Sequence, residues 1–552
     1  MMPSLTLADT GEFPIPTDLN GFWQFDRVHA PRPLTPLSQD VLLPAFGAGM
    51  TAALQETAYP HGFAMRAINN YAYLGFVPWQ VHGEALEQQM VQHRRALALI
   101  IPQLADLWER VWLPSILPGL ERLRTFDYAA LTDSALLDAL AELRVELAAR
   151  WRVHGRILPV YLAASDFEDF YRDRLKPTDP TEPYLLLHGF PTQALDSSRG
   201  LWRLSRLAAA IPAVAQVFVS TPAARLLAVL AQTEEGRDFL RELRDYLEAF
   251  GWRNDAIFEL ADPTWWEDPT CALAAIKGQL ALSTDADPDA QFQRAARKRE
   301  QLLRQARSRF AGAPAELARF DELYAHARSY LAIDEDHNFF IDQMGNAGLR
   351  RPILEIGRRP AQNGAIATPG DVFLLHLDDI GDGLAGVDHR AKVAARSSEL
   401  RRWSAIAPPD TVGDPPADDG VEDLLLVALS KQDAALDAGG AAEGGVISGT
   451  PASPGVARGY ARVGRSLAEA CAAQPGEVLV CEMTLPTWTP LFATIAAVVS
   501  DTGGVLSHCA IVAREHGIPC VVGTRVATRT IRSGLLLTVD GSTGQVKIHT
   551  PH

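Results

Sequence analysis

The sequence has few cysteines, and none of them has the spacing that metal sites use. The five cysteines are Cys271, Cys471, Cys481, Cys509 and Cys520, and no two of them form a CxxC motif. A structural zinc site needs clustered Cys or His ligands, so we expect no bound metal. An odd number of scattered cysteines is typical of reduced thiols, which favours a cytoplasmic location.

The sequence also lacks a basic stripe and a long apolar run. The 552 residues carry a formal net charge of −16, and nucleic-acid binding requires clustered Lys and Arg. We therefore expect no nucleic-acid partner. No run reaches the roughly 18 apolar residues of a membrane span, and the first residues are polar and contain proline. We expect neither a membrane span nor a signal peptide.

One stretch near the end of the chain contains several candidate functional residues. Residues 495–500 are apolar and predict a buried strand, and Gly503-Gly504 predicts a turn with positive φ at both glycines. Ser507 is a good N-cap and Gly517 is a stop signal, so a short helix should lie between them. His508 would then occupy the first turn, where the helix dipole favours an anion and disfavours imidazolium. A neutral imidazole is nucleophilic, which makes His508 a candidate phosphohistidine.

A histidine at a helix start is, taken alone, more often structural, but the residues around His508 extend the pattern. The run is Gly503-Gly504-x-x-Ser507-His508-x-Ala510-Ile511-Val512-Ala513-Arg514-Glu515-x-Gly517-Ile518-Pro519. It resembles the swivelling phosphohistidine domain of the PEP-utilising enzymes, a family that includes PEP synthase, pyruvate phosphate dikinase, rifampin phosphotransferase and phenylphosphate synthase. The resemblance implies that His508 is phosphorylated. Candidates for holding the phosphoryl group beside it are Thr502, Gly503, Gly504 and Ser507.

Residues 1–50 are rich in proline and poor in periodicity, which predicts an extended segment laid over a surface. One interpretation is a packing arm anchored by aromatic residues. The other is a wall of an acceptor pocket, with Asp26, Arg27, His29 and Arg32 as polar groups. The segment resembles the W-x-x-D-R-x-H-x-P-R-P arm of the acceptor-binding part of rifampin phosphotransferase and phenylphosphate synthase, which favours the pocket. Aromatic residues between Tyr59 and Trp79 fit a pocket for a planar ligand or a core element equally well.

From Glu84 to about Leu331 the apolar residues recur at helical spacing, so this part should be mainly helical. His337 follows among acidic and aromatic neighbours and is a candidate general base for an acceptor hydroxyl; a structural pairing with a nearby aspartate is the alternative. Arg350 and Arg351 are candidates for holding a phosphoryl group in transit, although surface arginines fit the pattern as well.

The composition predicts an α+β multidomain protein in three consecutive parts. Residues 1–407 form a large, mainly α-helical acceptor-binding domain. Residues 408–445, with prolines among aspartates and paired glycines, form a hinge linker. Residues 446–552 form a small β/β/α swivelling phosphohistidine domain.

The chain lacks the glycine-rich nucleotide loops of an ATP site and the eight strand–helix alternations of a TIM barrel. The resemblance therefore implies that a separate ATP-grasp subunit binds ATP and Mg²⁺ and phosphorylates His508, with AMP and phosphate as products. This chain would bind no cofactor stably and would pass the phosphoryl group to a small aromatic hydroxyl compound, as in phenylphosphate synthase. The alternatives are a component of a rifamycin-type antibiotic phosphotransferase and a non-catalytic phosphocarrier or regulatory protein.

Overall fold

The computed structural model describes residues 13–16, 19–77, 81–179, 181–254, 256–414, 423, 425, 427–428, 440–443 and 445–549. The α-helices in this part are α1 (Pro36–Glu56), α2 (Glu84–Ile100), α3 (Leu104–Leu107), α4 (Leu113–Thr125), α5 (Asp133–Ile157), α6 (Pro159–Leu175), α7 (Glu182–Leu185), α8 (Gln193–Ala210), α9 (Pro212–Ser220), α10 (Ala223–Leu230), α11 (Glu234–Phe250), α12 (Thr270–Gln279), α13 (Pro288–Arg309), α14 (Pro314–Ala327), α15 (Tyr330–His337), α16 (Arg350–Gln362), α17 (Leu377–Leu384), α18 (Arg390–Ser404), α19 (Leu467–Ala470), α20 (His508–His516) and α21 (Ala527–Thr530).

The strands are β1 (Trp23–Phe25), β2 (Gly62–Ile68), β3 (Tyr71–Val77), β4 (Thr411–Val412), β5 (Gly440–Glu443), β6 (Val446–Ser448), β7 (Thr450–Ser453), β8 (Val456–Gly464), β9 (Val478–Cys481), β10 (Ala497–Ser500), β11 (Cys520–Val522), β12 (Leu536–Asp540) and β13 (Gln545–His549). Short 3₁₀ segments include Pro369–Leu374 and Pro486–Ala493, and π-helical turns span Trp108–Trp112 and Asn338–Gly345.

The chain divides into two compact units that are interleaved along the sequence. Unit 1 comprises Met1–Leu158, Ala256–Pro263 and Phe340–Glu422, and unit 2 comprises Pro159–Asp255, Thr264–Phe339 and Asp423–His552. The prediction of three consecutive parts with boundaries at 407 and 445 stays a prediction. Most of the linker predicted for 408–445 lies outside the described residues.

Unit 1 combines a four-stranded sheet with a pair of long helices. The sheet has the order β2-β3-β1-β4, and its aromatic side chains, including Tyr71 and Tyr73, are buried against Trp403. Helices α1 and α5 pack closely because Gly49 faces the α5 backbone, where an added Cβ would lie 2.4 Å from the Ala148 carbonyl oxygen. The aromatic residues predicted to line either a pocket or a core therefore include core residues, while Trp79 lies outside the described residues.

The prediction that residues 1–50 are an extended surface segment is wrong for two parts of it. Trp23–Phe25 forms β1 between β3 and β4 in the sheet, and α1 begins at Pro36. Proline is compatible with the first helical position because the amide that it lacks would have no partner there. Pro31 and Pro33 do lie outside any helix or strand.

Unit 2 joins a body of helices, α6 to α15, to a C-terminal domain described over residues 445–549. One hydrophobic core runs through both. It includes Phe218 and Phe239 from the helices, and Trp488, Phe492 and Ile495 from the C-terminal domain. Helix α11 shows why the helices fold here: Thr233 caps its N-terminus, and Phe239 and Leu243, four residues apart, are both buried.

The C-terminal domain is built on a nine-stranded sheet with the order β5-β6-β13-β12-β8-β9-β10-β11-β7. Strands β8, β9, β10 and β11 run parallel to their neighbours in that series, and the residues of β9, β10 and β11 are all buried. Helix α20 follows β10 in the chain. The helical body and the sheet-based C-terminal domain confirm the predicted α+β multidomain class.

Among the described residues, every helix is either too short or too polar to cross a lipid bilayer.

Candidate functional site

The turn that leads to His508 is anchored at its start by polar contacts. Strand β10 ends at Ser500, and the next residue, Asp501, is buried. Its carboxylate accepts hydrogen bonds from the Thr524 hydroxyl at 3.0 Å and from the Thr528 amide at 3.2 Å. Thr502 donates from its hydroxyl to the Glu482 carbonyl oxygen at 2.9 Å. These contacts fix the backbone before the glycines and leave the turn little freedom.

Gly503 is the one glycine of the pair that needs a left-handed backbone. Its φ is +95°, and a Cβ there would lie 2.8 Å from the Ser507 Oγ. Gly504 has no positive φ, so the prediction of positive φ at both glycines is wrong for it. A single left-handed residue is enough to turn the chain from β10 toward α20, because the Ser507 amide then bonds back to the Gly504 carbonyl oxygen at 3.0 Å.

Helix α20 begins and ends as its sequence predicts. The Ser507 hydroxyl accepts from the Ala510 amide at 3.4 Å, which caps the first turn. Gly517 takes the left-handed conformation with φ +65° and ends the helix. His508 is the first helical residue. The unpaired amides and positive dipole end of this turn attract an anion.

Two threonine hydroxyls flank the imidazole of His508. The Thr484 Oγ1 lies 3.2 Å from Nδ1, and the Thr489 Oγ1 lies 3.3 Å from Nε2. Burial lowers the pKa of His508 to about 4, and a hydrogen bond with the Thr484 backbone opposes the shift. The ring is therefore neutral at physiological pH. A neutral imidazole has one ring nitrogen with a free lone pair, which is the form that attacks phosphorus.

Helix α20 is also tied to the helical body of unit 2. The Tyr330 hydroxyl donates to the Leu506 carbonyl oxygen at 3.2 Å. The buried Arg514 donates to the Ala452 carbonyl oxygen at 2.7 Å and to the His188 Nε2 at 3.2 Å. Burial, reinforced by Arg514, holds the pKa of His188 well below its ordinary value, so His188 is neutral and can accept this bond. These contacts orient the helix that carries His508.

Three buried thiols lie in the strands and helix around the site. Cys509 and Cys520 have their sulfur atoms 3.7 Å apart, and Cys481 is buried in β9. Burial holds the pKa of Cys520 well above its ordinary value. All five cysteines are free thiols, and these three fill space in the core beneath α20.

The candidate residues from the arm lie together in unit 1. The His29 Nδ1 is 2.8 Å from the Asp26 Oδ2, and Arg27 pairs with Asp410. The His29 ring stacks on Phe258, with ring centroids 5.0 Å apart. An Asp–His pair in an aromatic setting can orient an imidazole for proton transfer. The predicted acceptor role of Asp26, Arg27 and His29 stays a prediction.

The two arginines predicted to hold a phosphoryl group bind backbone carbonyls in unit 1. Arg350 donates to the Leu260 and Ala261 carbonyl oxygens at 2.9 and 2.8 Å. Arg351 donates to the Leu123 carbonyl oxygen at 2.9 Å and also contacts that of Arg124. Each guanidinium therefore has a structural use, and the phosphoryl-binding role stays a prediction.

His337, the predicted general base, is the last residue of α15 in unit 2. Its side chain is buried, and Nδ1 lies 3.2 Å from the Ile333 carbonyl oxygen and 3.9 Å from the Asp334 Oδ1. The contact with its own helix fits the structural alternative as well as the catalytic one. Its role as a base stays a prediction.

Sequence reasoning missed the partners of His508. Thr484 and Thr489 belong to the run Thr484-Leu485-Pro486-Thr487-Trp488-Thr489-Pro490, which folds into the segment that covers the ring. The signal that could have found them is the recurrence of threonine beside proline after a buried strand. Proline fixes the backbone there, and the threonine hydroxyls can then face a ligand or a catalytic side chain.

Comparison with known proteins finds two family matches, one in each part of unit 2. The family described as the mobile domain of PEP-utilising enzymes matches residues 473–544. The family described as the fourth domain of rifampicin phosphotransferase matches residues 168–335. The first match covers α20 with its turn, and the second covers most of the helical body.

Three relatives illustrate the range of similar proteins. Chondramide synthase CmdD of Chondromyces crocatus is 35% identical over 554 residues, covering 97% of this chain and 14% of that protein. The uncharacterised phosphotransferase YvkC of Bacillus subtilis is 29% identical over 537 residues, covering 96% of this chain and 62% of that protein. Rifampicin phosphotransferase of Streptomyces sviceus is 29% identical over 337 residues, covering 58% of this chain and 35% of that protein. The chain thus spans less than two thirds of each of these relatives.

Proposed function

We propose that the chain is a member of the PEP-utilising enzymes that carries a phosphoryl group on His508 and transfers it to a hydroxyl of an organic acceptor. The observation that supports this most directly is the state of His508. It is a neutral imidazole at a helix N-terminus, between two threonine hydroxyls. A histidine with a purely structural role does not require this combination of features. A nucleophile that must also hold an anion does require it.

In the first half-reaction the phosphoryl group reaches His508 from ATP. We place the ATP and Mg²⁺ on an ATP-grasp subunit outside these 552 residues, with AMP and phosphate as the other products by analogy with the family. The lone pair of an imidazole nitrogen attacks phosphorus, and the free amides at the start of α20 balance the charge on the phosphoryl oxygens. Ser507 caps the Ala510 amide of this turn, and the left-handed Gly503 directs the chain into it.

In the second half-reaction the acceptor hydroxyl attacks phospho-His508. We propose a phenol-like acceptor, because aromatic hydroxyl compounds suit the phenylphosphate synthase-like part of the family. A relative named rifampicin phosphotransferase makes a larger aromatic antibiotic the second candidate. In either case the two half-reactions take place at separate times. Water can therefore be excluded from the phosphoryl group on His508 during each of them.

The carrier role can be tested without the proposed partner. The chain is treated with potassium phosphoramidate, a small donor that phosphorylates reactive histidines, and intact mass and phosphate lability are measured. We expect one phosphoryl group that is acid-labile and base-stable. The variant His508→Ala should lack this phosphoryl group. The control is His549→Gln, which changes a histidine on β13, far from α20 in the sequence, and this variant should keep the phosphoryl group. A phosphoryl group retained in His508→Ala would overturn the proposal.

The source of the phosphoryl group is tested separately with ATP labelled at the β-phosphate. We expect no label on the chain with ATP and Mg²⁺ alone, and stoichiometric label when an ATP-grasp subunit is added. Label acquired from ATP alone would place a nucleotide site within these residues and contradict the division of labour.

A further inference from the structure

A pocket in unit 2 is lined by Thr489, the residue whose hydroxyl contacts the imidazole of His508. It is partly open to solvent, and its lining is more apolar than polar. Its walls come from the first turns of α8 and α13, the 3₁₀ segment Pro486–Ala493 and the end of α20. The side chains that define it are Phe190, Leu195, Ser198, Phe292, Thr489 and Glu515.

Thr489 connects this pocket to the imidazole. Its hydroxyl lies 3.3 Å from the His508 Nε2, and the same residue lines the pocket. A phosphoryl group on Nε2 would take the place of this contact and meet the pocket wall. The pocket is therefore one side chain away from the atom that would be displaced in the second half-reaction.

The apolar part of the wall suits a flat ring. Phe190 and Phe292 line the pocket, and the guanidinium group of an arginine lies over each ring. The Arg299 guanidinium carbon lies 4.1 Å from the Phe190 ring centroid, and that of Arg199 lies 5.6 Å from the Phe292 ring centroid. Such cation–π contacts fix the orientation of a phenyl ring, and two fixed rings can stack on an aromatic ligand.

The polar part of the wall includes a carboxyl group suited to taking a proton. Burial raises the pKa of Glu515 to about 7, and Arg514 opposes the shift. Glu335 is buried nearby, and one of its carboxyl oxygens has no hydrogen-bond partner among the described residues. Burial, with the negative charge of Glu515, holds the pKa of Glu335 well above its ordinary value. Of the two carboxyl groups, Glu515 is the one that lines the pocket.

We propose that this pocket is the acceptor site, that it takes a hydroxylated aromatic compound, and that Glu515 is the general base. The proposal rests on the function proposed above. The acceptor oxygen attacks the phosphorus of phospho-His508, a P–O bond forms as the P–N bond breaks, and the electron pair of that bond returns to the imidazole nitrogen. The hydroxyl proton passes to the Glu515 carboxylate, so the step needs no further reactant.

The test measures a single discharge of chemically phosphorylated chain by phenol, catechol or 1-naphthol. Glu515→Gln should slow the discharge about 100-fold or more, since a positioned base contributes roughly 10²–10⁴-fold. Ala295→Trp, which fills the pocket from α13, should abolish discharge and aryl phosphate formation. Lys298→Trp, at an exposed position on the same helix, is the matched control and should discharge at the unaltered rate.

Phosphorylation of His508 is measured in every variant, which separates the two proposals. A variant that accepts the phosphoryl group is folded around α20, so its slow discharge reports on the pocket. If no variant and no parent chain takes a phosphoryl group on His508, the proposed function fails. If the parent chain is phosphorylated but none of the three compounds discharges it, the proposed acceptor class is wrong.

Two further outcomes would overturn the location of the site. One is unaltered discharge in both Glu515→Gln and Ala295→Trp. The other is loss of discharge in His29→Asn while both unit 2 variants keep the parent rate, which would place the acceptor in unit 1 beside the Asp26–His29 pair.

Discussion

Two histidines in this protein have opposite surroundings. In unit 1, the His29 Nδ1 lies 2.8 Å from an Asp26 carboxylate oxygen. In unit 2, the His508 Nδ1 and Nε2 lie 3.2 and 3.3 Å from the hydroxyls of Thr484 and Thr489. A carboxylate stabilises the protonated imidazole, whereas a neutral hydroxyl in a buried setting does not. The first arrangement favours handling a proton, and the second favours carrying a phosphoryl group.

The largest effect should come from giving His508 the partner that His29 has. In Thr484→Asp a buried carboxylate replaces the hydroxyl at Nδ1, so the pKa of His508 should rise and the incoming phosphoryl group should be repelled. The repulsion should slow phosphorylation by phosphoramidate about 100-fold, which corresponds to about 2.7 kcal/mol. The rate and the NMR titration of the ring are measured. Thr484→Asn adds no charge, so it should slow phosphorylation much less. Equal phosphorylation rates in the two variants would contradict the contrast drawn between His29 and His508.

The next effect concerns the turn that presents His508. Gly503→Ala forces a left-handed alanine and puts its Cβ against the Ser507 Oγ, which should cost about 1–3 kcal/mol and slow phosphorylation about tenfold. Gly476→Ala is the matched control, because Gly476 has φ +84° and open space around the added Cβ. It should lower Tm by its backbone strain alone and leave the phosphorylation rate unaltered. An equal loss of rate in both variants would show that the cap contact is unimportant.

The dependence of the free energy of unfolding on pH should reflect the neutral imidazole of His508. The folded pKa of His508 is about 4, below the ordinary unfolded value of about 6.5. The unfolded chain therefore binds a proton first, and the contribution of this group to stability is full above pH 6.5 and is lost as pH falls toward 4. Between pH 7 and pH 5 the parent chain should lose about 1–2 kcal/mol more than His508→Asn in urea unfolding.

His516 offers a test of that interpretation. Burial lowers its pKa to about 4 as well, so His516→Asn should remove a similar part of the pH dependence, and the double variant should remove both. A parent chain whose stability is flat from pH 7 to pH 5 would contradict the low pKa of both rings.

The smallest effect should come from removing one hydroxyl. Thr489→Val deletes the contact with Nε2 and should change the phosphorylation rate roughly 3- to 10-fold, since a hydrogen bond contributes about 0.5–1.5 kcal/mol. Thr487→Val is the control, because the buried Thr487 hydroxyl has no hydrogen-bond partner among the described residues. That variant should keep the parent rate and be at least as stable. A larger effect at Thr487 than at Thr489 would contradict the assignment of contacts.

The sequence predicts α20 and its turn well because their signals are local. The cap Ser507, the stop Gly517 and the apolar strand before them all act within a few residues. The partners of His508 depend on contacts across the chain: Thr489 and Thr484 are 19 and 24 residues away. Pairing of Glu335 with Glu515 depends on the packing of the helical body against the C-terminal domain, which no local pattern encodes.

The same distinction explains the predictions that the structure corrects or leaves open. Proline at positions 31, 33 and 36 excludes regular structure only where an amide would need a partner, and Pro36 begins a helix instead. Arginine next to arginine indicates positive charge, but the pattern does not show that backbone carbonyls already occupy Arg350 and Arg351. Periodicity and capping report local order; they carry no information on which distant groups use a side chain.

The hydrophobic core shared by the helical body and the C-terminal domain should couple the turnover rate of the protein to its thermal stability. Phe218 and Phe239 lie in the same core as Trp488 and Phe492, so a swing of the C-terminal domain on the predicted hinge linker would require that core to open. Apolar contacts resist such opening in proportion to the area that they bury. A variant that packs this core more tightly should therefore withstand more heat and complete fewer cycles per second. Selection for turnover would then hold the core below its best attainable packing.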